Sequence, residues 1–119
     1  MKYMLLIYSD EKAWTENERQ ECFEESRQLT HELHEQGRFL AASPLLPVSM
    51  ATSVQVRQGK RLVTDGPFAE TREQLGGYFL IEARDLNEAI SIAGRVPAAR
   101  KGTVEVRPIL ELPDMPVVE

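Results

Sequence analysis

The candidate side chains for chemistry in this sequence are carboxylates with arginines nearby, taken from two stretches of its second half. Asp65 stands in Asp65-Gly66-Pro67-Phe68 and is followed by Glu70; near the end come Arg100-Lys101 and then Glu105 and Arg107. A carboxylate whose pKa is raised by burial can give or take a proton near neutral pH. Arginine adds a planar fork of donors that holds a carboxylate or carbonyl through parallel hydrogen bonds. This pattern predicts proton transfer on a small organic molecule, an isomerase- or lyase-like reaction. Asp65 and Glu105 are the catalytic candidates; Phe68, Glu70, Tyr78, Arg100 and Arg107 are the candidates for holding the ligand.

Other chemistries lack their residues. His31 and His34 are three apart without a carboxylate partner, no HExxH or CxxC is present, and neither a metal nor a cofactor is expected. No GxGxxG, Walker loop or nucleophile elbow points to nucleotides or acyl transfer. The one cysteine, Cys22, excludes an internal disulfide framework and suits a reducing cytoplasm. Acidic residues outnumber basic ones by 19 to 14, the net charge is −5, and no basic block occurs, which argues against nucleic acid. The apolar opening is too short for a signal peptide, no membrane span follows, and a cytoplasmic protein is expected.

The elements that must position these groups read as two strand–helix–strand halves. Lys2 to Tyr8 is a strand with Tyr3, Leu5 and Ile7 on one side and Met4, Leu6 and Tyr8 on the other. Thr15-Glu16-Asn17-Glu18 is a capping box opening a helix to about Gln36, with Cys22, Ser26, Leu29 and Leu33 on its apolar stripe and Gly37 as its stop. A strand at Arg38 to Ala42 follows. Thr52-Val54-Val56 and Arg61 to Thr64 form a hairpin turning near Gln58-Gly59. Ala69 to Gln74 is expected to make a helical turn, with Phe68 anchoring the loop against the body and Asp65 accepting N–H bonds within it. Gly76-Gly77 then release a strand reaching Glu82. Asp85 and Glu88 cap a short second helix ending at Gly94, and Thr103 to Leu110 is the last strand.

This order predicts an α+β, ferredoxin-like split β-α-β fold with an inserted β-hairpin. One domain spans residues 1–112, and 113–119 form a C-terminal tail marked by Pro113 and Pro116. Both helices fall on one face of the sheet, yet the first strand and Tyr78–Ile81 are apolar on both sides. An antiparallel sheet with a free face should alternate apolar and polar residues. A second copy of the chain is the expected cover, giving a homodimer through the sheet face. In the last strand Val104, Val106, Pro108 and Leu110 should lie under the helices, which turns Glu105 and Arg107 towards the partner.

Asp65-Gly66-Pro67-Phe68-Ala69-Glu70-Thr71, with Glu73 and Leu75-Gly76-Gly77-Tyr78, resembles the signature of the DGPF-type subgroup of the YCII-related family. The similarity runs from Met1-Lys2-Tyr3-Met4-Leu5 to Val104-Glu105-Val106-Arg107-Pro108. The resemblance implies assembly as a dimeric α+β barrel, in which two sheets face each other. It also implies comparison with members discussed as enzymes around a His–Asp pair, with the His in the first helix. Counted back from Gly37, that position is Ser26, so an imidazole base is not carried over; Asp65 is the counterpart of the Asp. Some members are fused to or encoded near alternative sigma factors. That gives a second reading, an interaction or regulatory module whose DGPF loop engages another protein. A polar-lined cavity near Asp65 and Arg107 would favour the small-molecule reading, and a solvent-facing loop without a cavity the other.

Overall fold

Local signals start and stop the helices of the computed structural model, which describes residues 1–116. The Glu18 amide donates to Thr15 Oγ1 at 3.1 Å and the Thr15 amide to Glu18 Oε1 at 2.9 Å, closing the capping box of α1 (Glu16–Glu35). At its far end Gly37 takes φ +73°, the Gly37 amide donates to His34 O at 3.0 Å and the Arg38 amide to Leu33 O at 2.8 Å. This double closure satisfies carbonyls the helix leaves open. Asp85 accepts from the Glu88 amide at 2.9 Å to begin α2 (Leu86–Ala93).

The strands are β1 (Lys2–Ser9), β2 (Phe39–Pro44), β3 (Thr52–Arg57), β4 (Lys60–Asp65), β5 (Gln74–Glu82) and β6 (Thr103–Pro108). Four make an antiparallel sheet in the order β2-β5-β1-β6, while β3 and β4 pair separately. This is the expected α+β order with the hairpin inserted between β2 and β5. Tyr3, Leu5, Phe79 and Ile81 form one side of the core with Leu29 and Leu33 of α1 and Ala89, Ile92 and Ala93 of α2, so both helices lie on one sheet face. Val104 and Val106 join that face, as expected.

The other face is apolar too. Register sets Met4 against Leu80, Leu6 against Tyr78 and Tyr8 against Leu75. Neither α1 nor α2 packs on it.

The β3–β4 hairpin stands off as an arm. Gln58 (φ 52°) and Gly59 (φ 75°) form its two-residue turn, as the right-handed twist of paired strands favours. Val54, Val56, Leu62 and Val63 are all exposed along it. The radius of gyration is 16.0 Å, where a compact chain of this length would have about 13.5 Å.

The structure corrects several expectations. Residues 69–73 form irregular bends and no helical turn, and Gln74 already belongs to β5. Gly76 and Gly77 lie inside β5, which begins at Gln74: the irregular register between Ile7 and Tyr8 lets the strand pass through both glycines. Phe68 is 91% exposed and anchors nothing among the described residues. β2 runs on to Pro44, β6 ends at Pro108, and Leu110 is 81% exposed, because it lies past the strand end. Asp65 is not the acceptor that holds its loop. The Gly66 amide donates to Ala51 O at 2.7 Å and Ser53 Oγ to Gly66 O at 2.7 Å, with Gly66 at φ +102°. Of the expected tail, residues 117–119 lie outside the described residues.

Candidate functional site

A cavity of about 610 Å³ opens between α1 and the β2–β5 side of the sheet. From α1 it is lined by Arg19, Cys22, Phe23, Ser26, Arg27 and Thr30, the residues that return every three or four positions to one helix face. Ile7, Phe39, Ala42, Gly77 and Phe79 supply the sheet side, and Leu45, Leu46 and Pro47 after β2 form a further wall. The space exists because small residues stand where the layers meet. Ser26, Ala42 and Gly77 give little volume, and a Cβ on Gly77 would come within 3.0 Å of Ser43 O.

Glu11, Trp14 and Gln74 line it as well. The Glu11 amide donates to Gln74 Oε1 at 2.9 Å, Glu11 Oε2 accepts from the Val48 amide at 3.0 Å, and Gln74 Nε2 donates to Thr71 O at 2.7 Å. Glu11 therefore ties the body to both roots of the hairpin arm. Trp14 Nε1 donates to Ser9 Oγ at 3.1 Å, which fixes the indole. Arg19 Nη2 donates to Glu11 O at 3.2 Å. Arg27 is held by Glu24 Oε2 at 2.7 Å.

Burial pushes the Cys22 thiol pKa up, with a hydrogen bond from the Ser26 side working the other way. The thiol is thus kept protonated at neutral pH, a polar lining group and no thiolate nucleophile. The cavity as a whole is an apolar chamber with a few polar groups and one carboxylate, the usual character of a small-molecule site.

The model of the YCII-related domain matches residues 1–113 of the chain. The protein belongs to the YCII-related family. An uncharacterized protein of Rhizobium meliloti (strain 1021) is 34% identical over 114 residues, covering 92% of each chain. Among solved structures, 5-chloro-2-hydroxyhydroquinone dehydrochlorinase from Burkholderia phenoliruptrix AC1100, in complex with 2,5-dihydroxybenzoquinone, superposes with a TM-score of 0.57. It covers 92% of this chain and 94% of its own at 12% identity, a likeness of fold.

In this YCII-related protein the residues expected from the sequence fall in three places. Glu105 and Arg107 pair in register with Leu6 and Met4 of β1, so they project from the sheet face opposite the helices, both exposed. Tyr78 borders the cavity, and its register with Leu6 sets its side chain on that open face. Asp65, Phe68 and Glu70 lie on the arm and its loop, all exposed. Arg100 is on the helix side, where it pairs with Glu25 at 2.8 Å. Within the single chain Asp65 is thus not brought to Glu105 and Arg107.

The cavity residues Glu11, Trp14 and Arg19 were not singled out by sequence reasoning. The available signal was the α1 stripe, where Ser26 and Thr30 interrupt the apolar residues that a plain core would require. His31 and His34 are exposed on α1, and no cluster of three potential metal ligands occurs among the described residues. Among the described residues, no helix is long and apolar enough to cross a membrane.

Proposed function

We propose that this YCII-related protein binds a small, largely apolar, ring-sized organic molecule in the cavity beneath α1 and acts on it by isomerase- or lyase-like proton transfer. The cavity carries the reading: about 610 Å³ is within the range of small-molecule pockets. Glu11 is the carboxylate in its wall, with Oε2 occupied by the Val48 amide. Its other oxygen accepts no hydrogen bond among the described residues and is the base or acid of the proposal. Glu11→Gln retains an acceptor for Val48 and removes the carboxylate. The dehydrochlorinase of like fold, solved with a benzoquinone, supports the reading at the level of architecture.

The Asp65-to-Tyr78 motif supports, as part of this proposal, membership of the DGPF-type subgroup. The same proposal includes a cytoplasmic homodimer, a dimeric α+β barrel, joined through the open sheet face. The uncovered apolar pairs Met4–Leu80 and Leu6–Tyr78 support it. In such a dimer Glu105, Arg107 and Tyr78 lie under the partner, and a partner's arm is the route by which Asp65, Phe68 and Glu70 reach them.

Exposure of Phe68 favours a second reading, in which the DGPF loop docks on another protein as an interaction or regulatory module. The test is a titration of ring compounds into the full chain followed by the emission of Trp14, the only tryptophan. Ser26→Phe fills the cavity from α1 and should abolish the response while the fold is retained. An undiminished response in that variant would move the ligand elsewhere and leave the docking reading in front.

A further inference from the structure

Arg19 is half-buried in the cavity wall, and among the described residues its guanidinium makes one hydrogen bond, to the carbonyl of Glu11 at 3.2 Å. No carboxylate lies within 4.0 Å of it among the described residues, whereas three other charges of α1 have partners: Arg27 with Glu24, Glu25 with Arg100 and Glu18 with Lys101. A guanidinium carries five N–H donors in a rigid fork and cannot shed its proton, so one carbonyl leaves most of its capacity unused. The charged residues lining the cavity are Arg19, Arg27 and Glu11; with Arg27 paired to Glu24, Arg19 is the cation left without an acidic partner.

Resting on the cavity reading above, we propose that the ligand is an organic acid, a small ring or branched hydrocarbon bearing one carboxylate, and that Arg19 binds that carboxylate. The apolar wall of Phe23, Phe39, Leu45 and Phe79 takes the hydrocarbon. Arg19 is one helical turn before Cys22 and Phe23, so the acid group lies at the Trp14–Glu11 end and the hydrocarbon extends towards Ser26. The Glu11 carbonyl orients the guanidinium, and its remaining edge offers the parallel donors a carboxylate accepts. A neutral ligand of the same shape would leave those donors unpaired in a largely apolar chamber, which is the basis of the discrimination.

The experiment titrates benzoate, 2-hydroxybenzoate and cyclohexanecarboxylate, each beside its own amide, into the full chain at fixed ionic strength, by Trp14 emission and by calorimetry. The wild type should bind the acids at least about tenfold more tightly than the amides, as a charged hydrogen-bonded pair allows. Arg19→Gln should erase that preference, weakening the acids far more than the amides. Arg19→Lys should keep part of it, and provides the comparison if Arg19→Gln does not fold. Equal binding of acids and amides by the wild type overturns the inference and leaves the cavity reading standing, as does a preference that survives both substitutions. If neither acids nor amides bind, the cavity reading falls and the inference with it.

Discussion

The ammonium group of Lys101 lies 5.1 Å from the centre of the Trp14 ring. Lys101 also donates to Ala13 O at 2.9 Å and pairs with Glu18 at the first turn of α1. One side chain thus joins the segment before β6 to the loop before α1 and to an end of the cavity. Lys101→Met retains most of the aliphatic stem and removes the cation. The ring contact alone is expected to be worth about 0.5–1 kcal/mol. The variant should show a lower melting temperature and a shifted Trp14 emission; unchanged emission would detach Lys101 from the indole.

Glu18 gives a pH signature. Its hydrogen bond to Lys101, and then its bond to the Thr15 amide, pull its pKa from the ordinary 4.5 to about 2. Because the folded value is depressed, this contribution to stability is present above pH 4.5 and is lost as pH falls towards 2. Glu18→Gln should therefore lie below wild type in melting temperature at neutral pH, and the gap should close on acidification through that window. A gap that stays constant down to pH 2 would remove Glu18 as its source.

Gly102 packs against the backbone of β1. A Cβ there would collide with Tyr8 O and come within 2.8 Å of Ser9 Cβ and 3.0 Å of Ser9 Cα. Gly102→Ala must push β6 away from β1, and a loss of about 1–3 kcal/mol is expected, as for other overpacked sites. Chemical denaturation measures it directly. Gly94→Ala makes a matched control, since its added carbon would meet only ordinary contacts at 3.6 Å and beyond.

The open sheet face makes a prediction about assembly. Leu6→Asp puts a charge between Tyr78 and Glu105 at its centre without touching the helix-side core. Sedimentation should show a wild-type dimer and a folded Leu6→Asp monomer at micromolar concentration. A wild type that sediments as a monomer would contradict the proposed interface, which should bury at least ~1,000 Å².

Much of the frame was legible because it is written in local chemistry. Thr15 with Glu18 and Asp85 with Glu88 mark helix starts through bonds spanning three residues, and Gly37 marks a stop through its backbone freedom. The doubly apolar β1 and the alternation of Val104 and Val106 fixed the faces in the same way. Gly76 and Gly77 misled because glycine signals permission, and here it permits an irregular strand as easily as a turn. Phe68 misled because a large apolar side chain does not announce what it packs on. The cavity was the least legible feature. Its space is the volume that Ser26, Ala42 and Gly77 do not fill, and its walls meet only when α1 folds across β2 and β5.

The sheet order also governs when the chain can fold as it is made. β1 comes first, yet it sits in the middle of the sheet, and its partners are β5 and β6: Lys2 pairs with Glu82 and Tyr3 with Pro108. Until β5 (Gln74–Glu82) has left the ribosome, Tyr3, Leu5 and Ile7 have no strand to pair with. Pairing across such a separation is slow, since a long loop must close before any contact compensates for its lost entropy. The β3–β4 arm can close on itself in microseconds, so it is a preformed spacer across that interval. Slower synthesis through residues 10–75 would lengthen the exposure of β1, and an edge left open at that stage is a surface on which nascent chains stick to one another.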